Sequence, residues 1–186
     1  MNPVKVENVL SEEEINYIED IIESNSDLIS LQPETGRNFL QLDLPENIVD
    51  KITSIAREKT GKNLLSTGRA YSTYSNQYGE PALHPHVDRN DTKFIFDYQL
   101  KSNTNWSIIV EDSEYNLEDN SGIVFEAKNL VHYRPRKKFL DGEYLSMIFF
   151  HFIDLDDPEG SRARTDKEVA EINAQIGPKY ASYWQN

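Results

Sequence analysis

The sequence predicts a mainly β protein with flanking helices (α+β): a double-stranded β-helix, or jelly roll, with N-terminal helices packed on one sheet and a C-terminal helix. Three observations carry that expectation. From Leu64 to Asp154 the chain breaks into short runs rich in Val, Ile, Phe and Tyr, separated by clusters of Gly, Asn, Asp and Pro. That makes about eight strands in about 90 residues, the density of a sandwich or barrel. Helical periodicity is confined to the two ends, so the strand–helix alternation of a parallel sheet is missing. Finally, 186 residues suit one domain: a helical part over 1–62, a jelly-roll core over 63–154 and a helical extension over 155–186.

The elements follow in order. Val4–Val9 reads as a short strand. Ser11-Glu12-Glu13-Glu14 is a capping box, in which the serine hydroxyl and the glutamate three residues on each satisfy an orphan backbone N–H. Ile15, Ile18 and Ile22 then recur at helical spacing and form a stripe to bury. A second helix opens at Pro45, whose fixed φ and missing N–H suit the first helical position. It carries Ile48, Ile52 and Ile55 inward and ends near Gly61. Strands are expected near Leu64–Ser75, Leu83–Val87, Phe94–Lys101, Trp106–Glu111, Tyr115–Leu117, Gly122–Ala127, Val131–Arg136 and Glu143–Ile153. Phe149, Phe150 and Phe152 fill both faces of the last of these, as in a central strand. Asp156–Arg164 is linker-like. Thr165-x-x-Glu168 is a second capping box, followed by the stripe Val169, Ile172 and Ile176, and the tail aromatics Tyr180, Tyr183 and Trp184 are expected to pack back on the body.

Composition excludes several functions. There are 19 Lys+Arg against 32 Asp+Glu, a net charge of −13. Such a chain repels phosphate backbones and anionic lipid, so no nucleic-acid and no membrane partner is expected. No apolar run approaches the roughly 20 residues that span a bilayer. Cysteine is absent, which removes disulfides, thiolate nucleophiles and Cys-ligated metal. The opening MNPVKVENVLSEEE has neither the basic nor the apolar region of a signal peptide, so a cytoplasmic location is expected. No Walker loop, G-x-S-x-G or G-x-G-x-x-G occurs. The oligomeric state stays open.

The chemistry-bearing residues are few: the four histidines are His84, His86, His132 and His151. His86 and Asp88 form His-x-Asp at the end of an expected strand, where residues i and i+2 point to one side. His132, on a later strand, supplies a third donor. Two imidazoles and one carboxylate on a face of an octahedron leave three open positions, which suits non-heme Fe(II) holding a bidentate co-substrate and O₂. His84 shares the face of His86, as a rival ligand or a substrate contact. Asp97 and Tyr98 lie on a strand expected to flank the site, within reach of substrate. His151 is read as structural and Trp106 as core.

The stretch Tyr74-Ser75-Asn76-Gln77-Tyr78-Gly79-Glu80-Pro81-Ala82-Leu83-His84-Pro85-His86-Val87-Asp88 resembles the Tyr…Gly…Leu…His-x-Asp segment of Fe(II)/2-oxoglutarate-dependent dioxygenases, and is most similar to the prolyl-hydroxylase-like branch. The opening strand and Leu-Ser-Glu-Glu-Glu helix start are similar too, so the resemblance spans roughly residues 3–153. It implies Fe(II) on His86, Asp88 and His132, with 2-oxoglutarate and O₂ as co-substrates and Tyr71 or Tyr74 lining the co-substrate pocket. It also implies hydroxylation over halogenation, because Asp88 fills the place that related halogenases leave open. In this family a basic residue, often followed by x-Ser, grips the distal carboxylate of 2-oxoglutarate from the last barrel strand. Here that stretch is Tyr144-Leu145-Ser146: the serine is present and Tyr144 stands where Arg is expected. A buried carboxylate needs a cationic partner, and the chain offers the basic cluster Arg134–Lys138. Arg134, two residues from His132 on one strand face, is the first candidate anchor and Arg136 the second. Arg69 is the third, or a grip for a substrate carboxylate. The cluster could instead be a solvated strand edge that deters pairing.

The expected activity is therefore hydroxylation of a C–H bond in a small substrate, a free amino acid or a peptidyl residue such as proline. The alternative is a non-catalytic, metal-binding cupin-like module in which the basic cluster binds an anion. A nucleic-acid demethylase is disfavoured by the net charge.

Overall fold

The computed structural model describes residues 1–184, with side chains through Tyr183; the expected packing of Trp184 and of the final Gln185 and Asn186 lies outside the described residues. The strands are β1 (Val4–Glu7), β2 (Ser30–Gln32), β3 (Arg37–Gln41), β4 (Leu64–Ser75), β5 (Leu83–His86), β6 (Phe94–Ser102), β7 (Ile108–Val110), β8 (Ser113–Tyr115), β9 (Ser121–Phe125), β10 (His132–Arg134) and β11 (Tyr144–Asp154). The helices are α1 (Glu12–Ser24), α2 (Glu46–Thr60), α3 (Pro158–Ser161) and α4 (Asp166–Lys179). The major sheet has the order β1-β9-β6-β11-β4-β3-β2 and the minor sheet β5-β10-β7-β8. All their pairings are antiparallel, the two-sheet jelly roll that the strand density predicts.

Local chemistry sets the helix ends. Ser11 Oγ accepts from Glu14 N at 3.2 Å, and the Glu14 carboxylate accepts from Ser11 N at 2.7 Å, so both capping-box bonds form. Pro45 sits one residue before α2 and caps it from outside. Gly61 closes α2 in the left-handed region, at φ 66°. Ile18, Ile48 and Ile52 go fully into the core, where α1 and α2 cover the face of the major sheet that presents Phe96, Tyr98, Ile148, Phe150 and Phe152. The other face meets the minor sheet through Tyr74, Trp106, Phe125, Phe139, Leu145 and Met147. Strand alternation thus gives β11 two faces, one for the helices and one for the barrel interior.

Besides the place of Pro45, three features depart from the sequence expectation. β2 and β3 extend the major sheet between the helices, where Phe39 and Leu40 are neighbours and give no period-two signal. β10 stops at Arg134 because Pro135 has no N–H to donate. The linker-like stretch folds into α3, with Asp157 accepting from Gly160 N at 3.0 Å and Lys93 bridging Asp154 and Asp157.

Candidate metal centre

His86 and His132 face each other across the β5–β10 pair, directly in register. His86 Nδ1 donates to the His84 carbonyl at 2.7 Å, and His132 Nδ1 donates to the Leu130 carbonyl at 3.1 Å. Each backbone acceptor fixes its ring in the tautomer whose Nε2 lone pair is free. Asp88 follows β5 and is pinned from both sides, its N–H donating to Ala127 O and its carbonyl accepting from Arg164 at 2.9 Å each. Asp88 Oδ1 lies 3.8 Å from His86 Nε2 and 3.6 Å from His132 Nε2, and the three donor atoms lie within 4.8 Å of one another. Oδ2 of Asp88 is buried without a hydrogen-bond partner. Burial holds both imidazoles neutral, at a pKa of about 4, with the two rings opposing each other's charge at His86. Two neutral nitrogens and a carboxylate with donor atoms this close together form a donor set that fits a divalent cation.

Beside this triad, a cavity of about 410 Å³ opens between the sheets. Its walls include Arg37, Phe39 and Gln41 of β3, Ile95 and Asp97 of β6, and Phe149 and His151 of β11. A wider mouth shares Arg37, His86, Asp88 and His151 with it and adds Glu34, His84 and Arg89. Asp97 is buried, its Oδ1 has no partner, and desolvation holds its carboxyl up at about 7 against the pull of Arg134.

Arg134 is 1% exposed. It donates to the Trp106 carbonyl, approaches Met147 Sδ at 3.7 Å and lies over the Trp106 ring at 5.3 Å. Its contacts are thus a carbonyl and a thioether, and among the described residues no carboxylate is hydrogen-bonded to it. It does not line the cavity; Asp97, whose charge it senses, does. Trp106 itself is core, as expected.

The other sequence-derived candidates fall in several places. Tyr74 is fully buried, edge-on to Trp106, and its hydroxyl accepts from Arg37 Nη1 at 3.1 Å. Tyr71 and Ser146 point to the helix-covered face, joined through Thr73 Oγ1 at 2.6 and 2.8 Å. Tyr144 begins β11 opposite Ser75. None of Tyr71, Tyr144 and Ser146 lines the cavity, because alternation along β4 and β11 turns them from it. Arg136 lies over the Tyr183 ring at 5.9 Å, also off the cavity. Arg69 does line it, with Nε buried and unpartnered. His84 sits in the mouth, its ring edge-on to Tyr183. Tyr98 faces the helices and donates to Asn120, so it flanks no site.

The site residues that sequence reasoning missed are Arg37 and His151. His151 is read from the sequence as structural, yet it lines both cavity and mouth. Arg37 follows Gly36, whose left-handed φ of 59° carries a sequence-level hint of a turn. A Cβ at Gly36 would meet Pro81 N at 2.3 Å, and one at Gly79 would meet Pro33 O at 2.2 Å. The two glycines let the β2–β3 and β4–β5 connections touch backbone to backbone, which brings Arg37 beside β5.

No protein-family model and no curated protein matches this sequence. Solved structures do. One is an oxidoreductase of the 2OG-Fe(II) oxygenase family from Burkholderia pseudomallei, at TM-score 0.61 and 11% identity over 87% of each chain. Another is a Pseudomonas putida prolyl-4-hydroxylase, at TM-score 0.60 and 12% identity over 88% of this chain and 93% of that one. A third is a prolyl hydroxylase from Trichoplax adhaerens in complex with a hypoxia-inducible-factor peptide fragment, at TM-score 0.58 and 11% identity over 84% and 86%. The chain has the fold of the 2OG-Fe(II) oxygenases. At such identities the likeness is one of fold, and function rests on the site. Among the described residues no helix is long and apolar enough to cross a membrane.

Proposed function

We propose that this chain is an Fe(II)- and 2-oxoglutarate-dependent oxygenase that hydroxylates a C–H bond of a small substrate. The observation that carries the reading is the convergence of His86, Asp88 and His132 at the edge of an interior cavity, with both Nε2 atoms free and both rings neutral. These three would hold the iron. When bound, iron with 2-oxoglutarate and O₂ supplies the oxidation and releases succinate and CO₂.

The chain's own residues do the rest. The backbone carbonyls of His84 and Leu130 orient the two imidazoles, and Arg164 and Ala127 hold the Asp88 backbone. Phe39, Ile95 and Phe149 supply apolar surface to a cavity wall that is otherwise largely polar. Arg134 is the proposed grip for the distal carboxylate of 2-oxoglutarate: a buried guanidinium bonded only to a carbonyl and a thioether suits a bidentate carboxylate.

A non-catalytic, metal-binding ligand module is the competing reading, favoured by Tyr144 at the expected anchor position and by Arg134 lying off the cavity wall. One assay separates the two. Anaerobic Fe(II) with 2-oxoglutarate should give a weak metal-to-ligand charge-transfer absorption in the visible, lost in His132→Ala. Iron uptake without that absorption would leave only the ligand-module reading.

A further inference from the structure

Arg37 lies on a strand that no sequence period marks, and its surroundings say what it is for. The β3–β4 register sets it opposite Tyr74, facing the barrel interior. It lines the inner cavity and the mouth, at the passage between them. Its Nε donates to Gln32 Oε1 at 2.6 Å and its Nη1 to the Tyr74 hydroxyl at 3.1 Å, with the guanidinium 5.7 Å from the Tyr74 ring centroid. Both acceptors are neutral. Among the described residues no carboxylate pairs with it, in a chain where acids outnumber bases 32 to 19. The surface guanidinium of Arg162, by contrast, holds Glu159 and Glu168.

A half-buried guanidinium fixed at two donors by neutral groups keeps its charge and its Nη2 edge for something else. The partner that best matches a planar fork in a partly desolvated site is a carboxylate. The placement suits a molecule reaching the metal ligands, because Arg37 shares the walls of both the cavity and its mouth with His86 and Asp88. We propose that Arg37 grips a carboxylate of the substrate, and that the compound oxidised is a small free acid, such as an amino acid; an interior peptide segment would offer a carboxylate only through an Asp or Glu side chain. This rests on the oxygenase reading for the fate of the substrate, and on the chain's own residues for where the acid binds.

The test uses wild type, Arg37→Gln and Arg37→Lys, loaded with Zn(II) and saturated with 2-oxoglutarate so that nothing turns over. Each is titrated calorimetrically with free L-amino acids and small carboxylic acids, each beside its own carboxamide. At least one acid should bind wild type at least tenfold more tightly than its amide. Arg37→Gln should weaken that acid at least tenfold and leave the amide unchanged. Arg37→Lys should fall between, keeping a charge but losing the fork. In parallel, the 2-oxoglutarate affinity of the Fe(II) protein, read from the charge-transfer absorption, should stay within twofold in Arg37→Gln. Equal binding of acids and amides, or no binding by any acid on the panel, overturns the proposal. So does a loss of 2-oxoglutarate affinity in Arg37→Gln, which would assign the residue to the co-substrate. If wild type gave no charge-transfer absorption while acids still bound through Arg37, the oxygenase reading would fall and the carboxylate site would stand.

Discussion

The neutral state of the two histidines makes the pH dependence of metal binding a quantitative test of the site. A metal ligand must be deprotonated. Two imidazoles with the ordinary pKa of 6.5 would each be roughly 76% neutral at pH 7 and roughly 9% at pH 5.5, so affinity would drop about 70-fold, or about 2.5 kcal/mol. In this site burial holds both near 4, and at that value each stays about 97% neutral at pH 5.5. The His132 side chain is 4% exposed, whereas that of His86 keeps 35% of its surface in water. Giving His86 the ordinary value and His132 alone the depressed one leaves a drop of about eightfold. The expected loss between pH 7 and 5.5 therefore lies between none and about eightfold. Calorimetric titration with Zn(II) or Mn(II) at the two pH values measures it. A loss of 70-fold would mean that the imidazoles sit in water and that the buried triad described above is wrong. The sign for the metal-free protein follows from the same shift. Each histidine's folded pKa lies below its unfolded one, so the unfolded chain takes up protons that the folded chain refuses. That contribution to stability is present above pH 6.5 and is lost as pH falls toward 4.

Arg134→Met should raise the 2-oxoglutarate requirement at least tenfold while iron content, measured after gel filtration, stays at the wild-type level; an unchanged requirement removes Arg134 from co-substrate binding. Gly36→Ala forces a left-handed φ on a residue with a Cβ and drives that atom into the Glu80–Pro81 backbone. It should cost about 3 kcal/mol or more, lowering Tm by about 6–12 °C in a chain of this size, and an unchanged melting curve would show that the two connections do not touch.

How far the sequence could be read varies with how local the cause is. The capping boxes at Ser11 and Thr165 rest on groups three residues apart, and both helices start where those residues say. Strand β4 runs over Leu64–Ser75 as expected, since β-branched and aromatic runs bounded by turn residues are also a local signal. The proline after Arg134 is itself a sequence signal that β10 must stop. β3 was not legible, because its apolar residues do not alternate and its place in the sheet is set by pairing with β4. The faces of Tyr71 and Ser146 escaped for a related reason: a one-residue change of register moves a side chain to the other side of a sheet.

The sequence by itself determined the two-sheet architecture, the helix caps, and a His-x-Asp at a strand end with a later histidine as its partner. These follow from periodicity, backbone chemistry and the short list of residues able to bind a metal. Only the tertiary structure decided which side chains share the cavity. Residues as far apart in the chain as Arg37, Asp97 and His151 meet there through sheet register and through glycines that let two backbones touch. Burial is a property of the assembled sheets, so the neutral imidazoles and the cation without a carboxylate partner arise only once the chain has closed around them.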